Sequence, residues 1–168
     1  MRAEGISGDN RAGLYNFSRG FFYDGSFYTL LPVGRSAYGV SGNQFVGESS
    51  DGSGFFFDGA VYNALNVPGA NFGTHAQGIS DGRIAGYYQE GAGIHGFIYE
   101  DGNYTTLDVP GADATFIRGI DGADIVGGYD GGTFGFLYDG SEFTTLTVPG
   151  SIQTYATGIW DGEIVGVY

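Results

Sequence analysis

The sequence predicts an all-β fold, a β-propeller built from four-stranded antiparallel blades. Three observations predict it. A unit of about 40 residues repeats along the whole chain, short strand-like segments are joined by reversing turns, and no helical period competes with them. Four full units and a fifth half-unit are present, at 5–38, 39–77, 78–118, 119–157 and 158–168.

Each unit reads as four strands, A to D. Strands A and B carry a glycine signature at Gly5, Gly39, Gly78, Gly119 and Gly158, each followed eight positions later by Gly13, Gly47, Gly86, Gly127 or Gly166. An unvarying spacing across divergent copies implies a fixed local geometry. Its two central residues are Gly8-Asp9, Gly42-Asn43, Asp81-Gly82, Gly122-Ala123 and Asp161-Gly162. A leading glycine suits a type II′ turn and Asp-Gly suits type I′, both two-residue hairpin turns, so A and B form a tight hairpin.

Strand C is Gly-Phe-x-[Tyr/Phe], at Gly20, Gly54, Gly96 and Gly135. Its aromatic and aliphatic residues fall on both faces, so these sheets are expected to be covered on both sides, with the aromatics as the core between blades. Asp-Gly follows each copy and turns C into D. Copy three reads as inserting Glu100 before Asp101, which predicts a bulge in that loop. The D-to-A connection carries the chain's four prolines, Pro32, Pro68, Pro110 and Pro149, and is long enough to lead from an outer edge to the inner strand of the next blade. Four-strand meanders with such crossovers are propeller blades. A β-solenoid is the competing architecture, but its coils are shorter and use fewer reversing turns.

Eighteen strands leave two ways to close. The last hairpin forms the inner half of an incomplete fifth blade, or four blades close and the hairpin competes with its duplicate at Gly5–Gly13. Either way the chain ends are expected to drive homo-oligomer formation. The first unit departs most from the pattern. Arg11 stands where other copies are apolar, and Leu31-Pro32-Val33-Gly34 replaces Val-Pro-Gly-Ala.

The motif Gly-Phe-Leu-Tyr-Asp-Gly-x5-Leu-x-Val-Pro-Gly at Gly135–Gly150, continued by Gly-Ile-x-Asp-Gly-x-Ile-Val-Gly-x-Tyr at Gly158–Tyr168, resembles the HAF-type repeats of bacterial extracellular proteins. His95-Gly96-Phe97 keeps the His-Gly-Phe variant, and the resemblance spans nearly the whole chain. It implies a secreted or cell-surface repeat protein and supplies no catalytic residues.

Composition narrows the function classes. Six basic residues against nineteen acidic ones give a formal charge of −13, a poor match for nucleic acid. Cysteine is absent, which excludes disulfides, thiolate nucleophiles and Cys-ligated zinc. No apolar run reaches the ~18 residues of a membrane span, and Met1–Asn10 lacks the features of a signal peptide.

Asp-Gly turns invite a calcium reading, but one carboxylate per hairpin is not a chelating loop. The Asp121–Asp124 turn and Asp130-Gly131-Gly132 are the nearest approach to one, and no metal or cofactor is expected. Twelve of the nineteen acids lie at A–B or C–D turns, where solvent keeps a carboxyl too acidic for general-acid catalysis. No Gly-x-Ser-x-Gly elbow appears. The expected function is therefore a binding module with a glycan or surface protein as partner. A purely structural repeat is the alternative, and a glycoside hydrolase a distant third.

A binding site is best sought where copies differ on an unchanging scaffold. Just before the inner strand the units carry Glu4, Tyr38, Gln77, Arg118 and Thr157, expected near the axis on the face that also holds His75, Phe116, Tyr155, Glu90 and His95.

Overall fold

Eighteen β-strands and no helix make up the described part of the chain, a computed structural model covering residues 2–15, 19–32 and 35–168. The first sheet holds β1 (Arg2–Ser7), β2 (Asn10–Tyr15), β3 (Arg19–Tyr23) and β4 (Tyr28–Leu30). The second holds β5 (Arg35–Ser41), β6 (Gln44–Ser49), β7 (Gly54–Phe57) and β8 (Tyr62–Leu65). The third holds β9 (Thr74–Ser80), β10 (Arg83–Glu90), β11 (Gly93–Glu100) and β12 (Asn103–Thr106). The fourth holds β13 (Thr115–Asp121), β14 (Asp124–Tyr129), β15 (Phe134–Tyr138) and β16 (Phe143–Leu146), and the last hairpin is β17 (Tyr155–Trp160) with β18 (Glu163–Val167). Every sheet is an antiparallel meander in chain order. Four of them are propeller blades, with the hairpin as a separate two-stranded sheet beside the fourth.

Strand A is innermost, as the crossover reading requires: β1 packs on β5, β5 on β9, β9 on β13 and β13 on β17. The first glycine of the signature permits this approach. A Cβ on Gly39 would press on the Gly78 backbone, one on Gly78 on Gly119 and Ile120, and one on Gly119 on Gly158. The second glycine has a different reason. Each inner strand bulges once, between Ala3 and Gly5, Ala37 and Gly39, Ala76 and Gly78, Ile117 and Gly119, and Ala156 and Gly158. The bulge pushes a carbonyl of strand A onto the strand B glycine, so that a Cβ on Gly127 would overlap the Phe116 oxygen. The eight-residue spacing thus records a bulge opposite a glycine.

Turn chemistry follows the residues. Gly8, Gly42 and Gly122 have φ of 59°, 57° and 57° at the first turn position, as type II′ demands. Asp81-Gly82 and Asp161-Gly162 are positive at both positions, as in type I′. In copy three the predicted bulge is absent. Four residues separate Tyr99 from its partner Tyr104, just as four separate Tyr138 from Phe143, and β11 pairs with β12 without a register shift. Glu100 is therefore no insertion. It displaces Asp-Gly by one place, which puts Asp101 and Gly102 (φ 50° and 83°) into a tight two-residue turn. In the other copies Asp24, Asp58 and Asp139 instead accept two backbone N–H groups each through Oδ1.

The D-to-A connections begin with a Val-Pro-Gly-x turn. Ala70, Ala112 and Ser151 N–H donate to Val67, Val109 and Val148 carbonyls, with Gly69, Gly111 and Gly150 at positive φ, the pattern of a type II turn. Thr74, Thr115 and Thr154 hydroxyls then accept the N–H of the same valines at 3.0, 3.0 and 3.2 Å, locking the crossover to the next inner strand. Of the divergent first copy, Val33 and Gly34 lie outside the described residues.

The core lies between blades. Between the first two, Ala12 and Leu31 meet Ala37, Phe45 and Phe55. Val46, Leu65 and Val67 then meet Ala76, Ile84 and Phe97, and Ala85 with Leu107 and Val109 meets Ile117, Ile125 and Phe136. Phe55, Phe97 and Phe136 of strand C are buried, each worth about 1.5–3 kcal/mol over exposure. Phe45, Ile84 and Ile125 face the preceding blade. Arg11 holds that register in the first blade, where its guanidinium donates to the Asp9 carbonyl at 2.5 Å and remains partly exposed. No helix is long and apolar enough to cross a membrane among the described residues.

Candidate functional site

The bulge residues are Glu4, Tyr38, Gln77, Arg118 and Thr157, each skipped in the pairing of its inner strand. These are the variable positions singled out from the sequence. They lie within the inner strand rather than just before it, because that strand begins three or four residues ahead of its glycine. A bulge re-aims a side chain, and here all five line one axial cavity of about 320 Å³, together with Trp160 and Glu163.

Arg118 is the centre of the lining. Its Nη1 donates to Gln77 Oε1 at 3.4 Å, and its guanidinium lies 5.2 Å from the Tyr87 ring centre and 5.8 Å from that of Phe116. Tyr87 in turn stacks on His75 at 4.6 Å and meets the Phe116 ring edge-on at 5.3 Å. His75 Nδ1 sits 3.0 Å from Glu48 Oε2. Burial, with the Glu48 charge adding to it, holds the Tyr38 hydroxyl above its ordinary acidity range against a hydrogen bond with Ser36. Tyr38 therefore stays a neutral donor.

Arg118 also borders a second cavity of about 220 Å³, lined by Phe116, Gly128, Gly131, Gly132, Gln153 and Tyr155. Gly128 leaves the room: a side chain there would meet Tyr155 Cβ. The structure thus joins Tyr38, Gln77, Arg118 and Thr157 in the axial cavity, adds Tyr155 through the side cavity, and connects His75 through Tyr87. Glu90 and His95 line neither cavity. His95 Nδ1 is 2.7 Å from Asp108 Oδ2, whose other oxygen accepts the Gly96 N–H.

Sequence reasoning missed Tyr87, Glu48 and Gln153. A signal for the first two was present. The residue after the second glycine is Leu14, Glu48, Tyr87, Gly128 or Val167, as variable as the bulge position. Those residues pair directly with Arg2, Ser36, His75, Phe116 and Tyr155, so two variable positions face one another beside each bulge. Two of the three carboxylates considered for calcium are engaged with backbone: Asp121 Oδ2 accepts from Asp161 N and Asp130 Oδ1 from Asp113 N.

Fold and site together define a repeat β-propeller whose axial lining changes from blade to blade on a constant frame. The chain matches no protein-family model, and no curated protein is similar to it in sequence.

Proposed function

We propose that the protein is an extracellular binding module that takes a glycan at the axial cavity and its side pocket, without turning it over. The observation that carries this reading is convergence: five inner-strand bulges, regular in backbone, direct five different side chains to one place. Phe116 and Tyr155 offer rings to the apolar face of a sugar in the side pocket, and Gln77, Tyr38 and Arg118 offer donors and acceptors to its hydroxyls. Arg118 is the one cation among the described residues lining either cavity. The secreted setting rests on the likeness to HAF-type repeats.

A glycan array followed by calorimetry tests this reading. Saturable binding is expected, weakened about tenfold or more by Arg118→Ala, the loss of roughly one charge-assisted hydrogen bond. The melting temperature should hardly change, because among the described residues Arg118 has no carboxylate partner within salt-bridge distance. No saturable glycan, or product formation from a bound one, would overturn it.

A further inference from the structure

We infer that the side pocket beside Arg118 takes the carboxylate-bearing residue of an acidic glycan, a hexuronic acid, an assignment that rests on the glycan reading above and narrows it. Arg118 carries it. All six basic residues of the chain are arginines. Arg2 and Arg83 pair with Glu4 and Glu100, and Arg11 and Arg19 donate to the Asp9 and Leu31 carbonyls. Arg35 lies over the Tyr62 ring and favours the charge on Asp51. Arg118 is different. Among the described residues its one acceptor is the Gln77 amide oxygen at 3.4 Å, long for a hydrogen bond, and no carboxylate is within salt-bridge distance. Five donors in a planar fork thus face a cavity with their charge unneutralised, the arrangement that a planar carboxylate matches in two parallel hydrogen bonds.

The two cavities that Arg118 borders differ in sign. Glu4 and Glu163 line the axial one, whereas no acid is among the described residues lining the side pocket. A bound carboxylate is repelled in the first and meets only the guanidinium in the second. The rest of the molecule's negative charge is also held away. The side pocket lies between the β14–β15 turn and the β16–β17 connection, at the opposite end of the blade from the A–B and C–D turns that carry twelve of the nineteen acids. At the pocket's own end, Asp130 has Oδ1 engaged by the Asp113 N–H, and Glu48 meets His75 at 3.0 Å.

The pocket exists because the fourth blade departs from the others. Where they carry Leu14, Glu48, Tyr87 or Val167, it has Gly128, whose missing side chain would meet Tyr155 Cβ at 3.0 Å. Its β14–β15 turn holds Gly131 and Gly132 at φ of 71° and 82°, and a Cβ on Gly132 would come 3.9 Å from both Gln153 Nε2 and Tyr155 Cδ1. The resulting volume of about 220 Å³ is below the roughly 300–1,000 Å³ of sites for drug-sized ligands, so it suits one sugar ring. Phe116 and Tyr155 supply the apolar wall, Gln153 an amide for hydroxyls, and Arg118 the fork for the carboxylate.

The test is calorimetric titration of the full chain with short oligosaccharides of galacturonic, glucuronic, mannuronic and guluronic acid, each beside its own methyl ester. Esterification keeps the ring and its hydroxyls and removes only the charge. Neutral galactose, glucose and mannose oligosaccharides complete the set. Expected is saturable binding of at least one acid, with its ester weaker by about tenfold or more. Arg118→Gln should bring acid and ester to the same affinity. Gln153→Ala, in an exposed loop, should weaken both about threefold or more, because it removes a hydrogen bond to the ring and leaves the charge contact in place. Equal binding of acid and ester by the unaltered chain overturns the inference and leaves the glycan reading standing. So does a preference that survives Arg118→Gln, acid binding indifferent to Gln153→Ala, or binding of neutral sugars only. No saturation with any sugar, acidic or neutral, overturns both.

Discussion

At Gly127 and Gly122 two glycines of one hairpin serve different ends. Gly127 has ordinary backbone angles, but a Cβ would overlap the Phe116 carbonyl oxygen and crowd the Phe136 ring. Gly122 has φ of 57° and open space where a Cβ would stand. Gly127→Ala must shift backbone and is expected to cost about 2–3 kcal/mol. Gly122→Ala meets only left-handed strain and is expected to cost about 1 kcal/mol. Urea unfolding of the two variants should show that order, and equal losses would refute the close-approach account of the second glycine. Arg118 marks the same scale in the site, because its cation packs beside two touching rings, Tyr87 and Phe116, from adjoining blades and is positioned by a bulge.

Turns and bulges decide what each element can do. The bulge converts an inner-strand residue from a pairing position into a cavity-lining one, which is why the variable side chains converge. The C–D loops carry a pH dependence of defined sign. Phe27, Val61 and Glu142 N–H groups are the leading causes that hold Asp24, Asp58 and Asp139 below their ordinary value of 3.8. A carboxyl more acidic folded than unfolded stabilises the fold above the unfolded value, and that contribution disappears as pH falls through the folded one. Replacing all three by Asn keeps the acceptor and removes the charge. The triple variant should melt slightly below the parent at neutral pH and converge with it on acidification below 3.8. A gap that persists at the acid end would show that charge is not its source. Glu100 belongs to this scale too: by displacing Asp-Gly one place it exchanges an Asp-capped loop for a type I′ turn of equal overall length.

Over the whole molecule, the A–B and C–D turns of an antiparallel meander fall at one end of every blade, so twelve of the nineteen acids gather on one face. Among the described residues no three His, Asp or Glu side chains converge as a chelating group. Millimolar calcium is therefore expected to raise Tm modestly and in a salt-sensitive way, through diffuse attraction to that face. Calorimetry that resolved a micromolar site of integer stoichiometry would contradict this. The two ends of the blade array differ from its middle for a related reason. Ile6 in the first sheet and Val165 in the last are 60% and 63% exposed, whereas Val46, Ala85 and Val126, which hold the register of Val165, are covered by the following blade.

The sequence by itself determined the blades. Spacing, turn residues and the placement of apolar and aromatic groups are local properties, repeated often enough to define strand order, turn type and the residues at the core. It also marked Tyr38, Gln77, Arg118 and Thr157 as the places where the copies differ. Only the tertiary structure decided that these residues are bulged, because a bulge is a relation between two strands and leaves the glycine opposite as its single trace. The ring cluster of His75, Tyr87 and Phe116 joins the third and fourth blades. Such features depend on how blades meet, a distance across the fold to which no spacing along the chain corresponds.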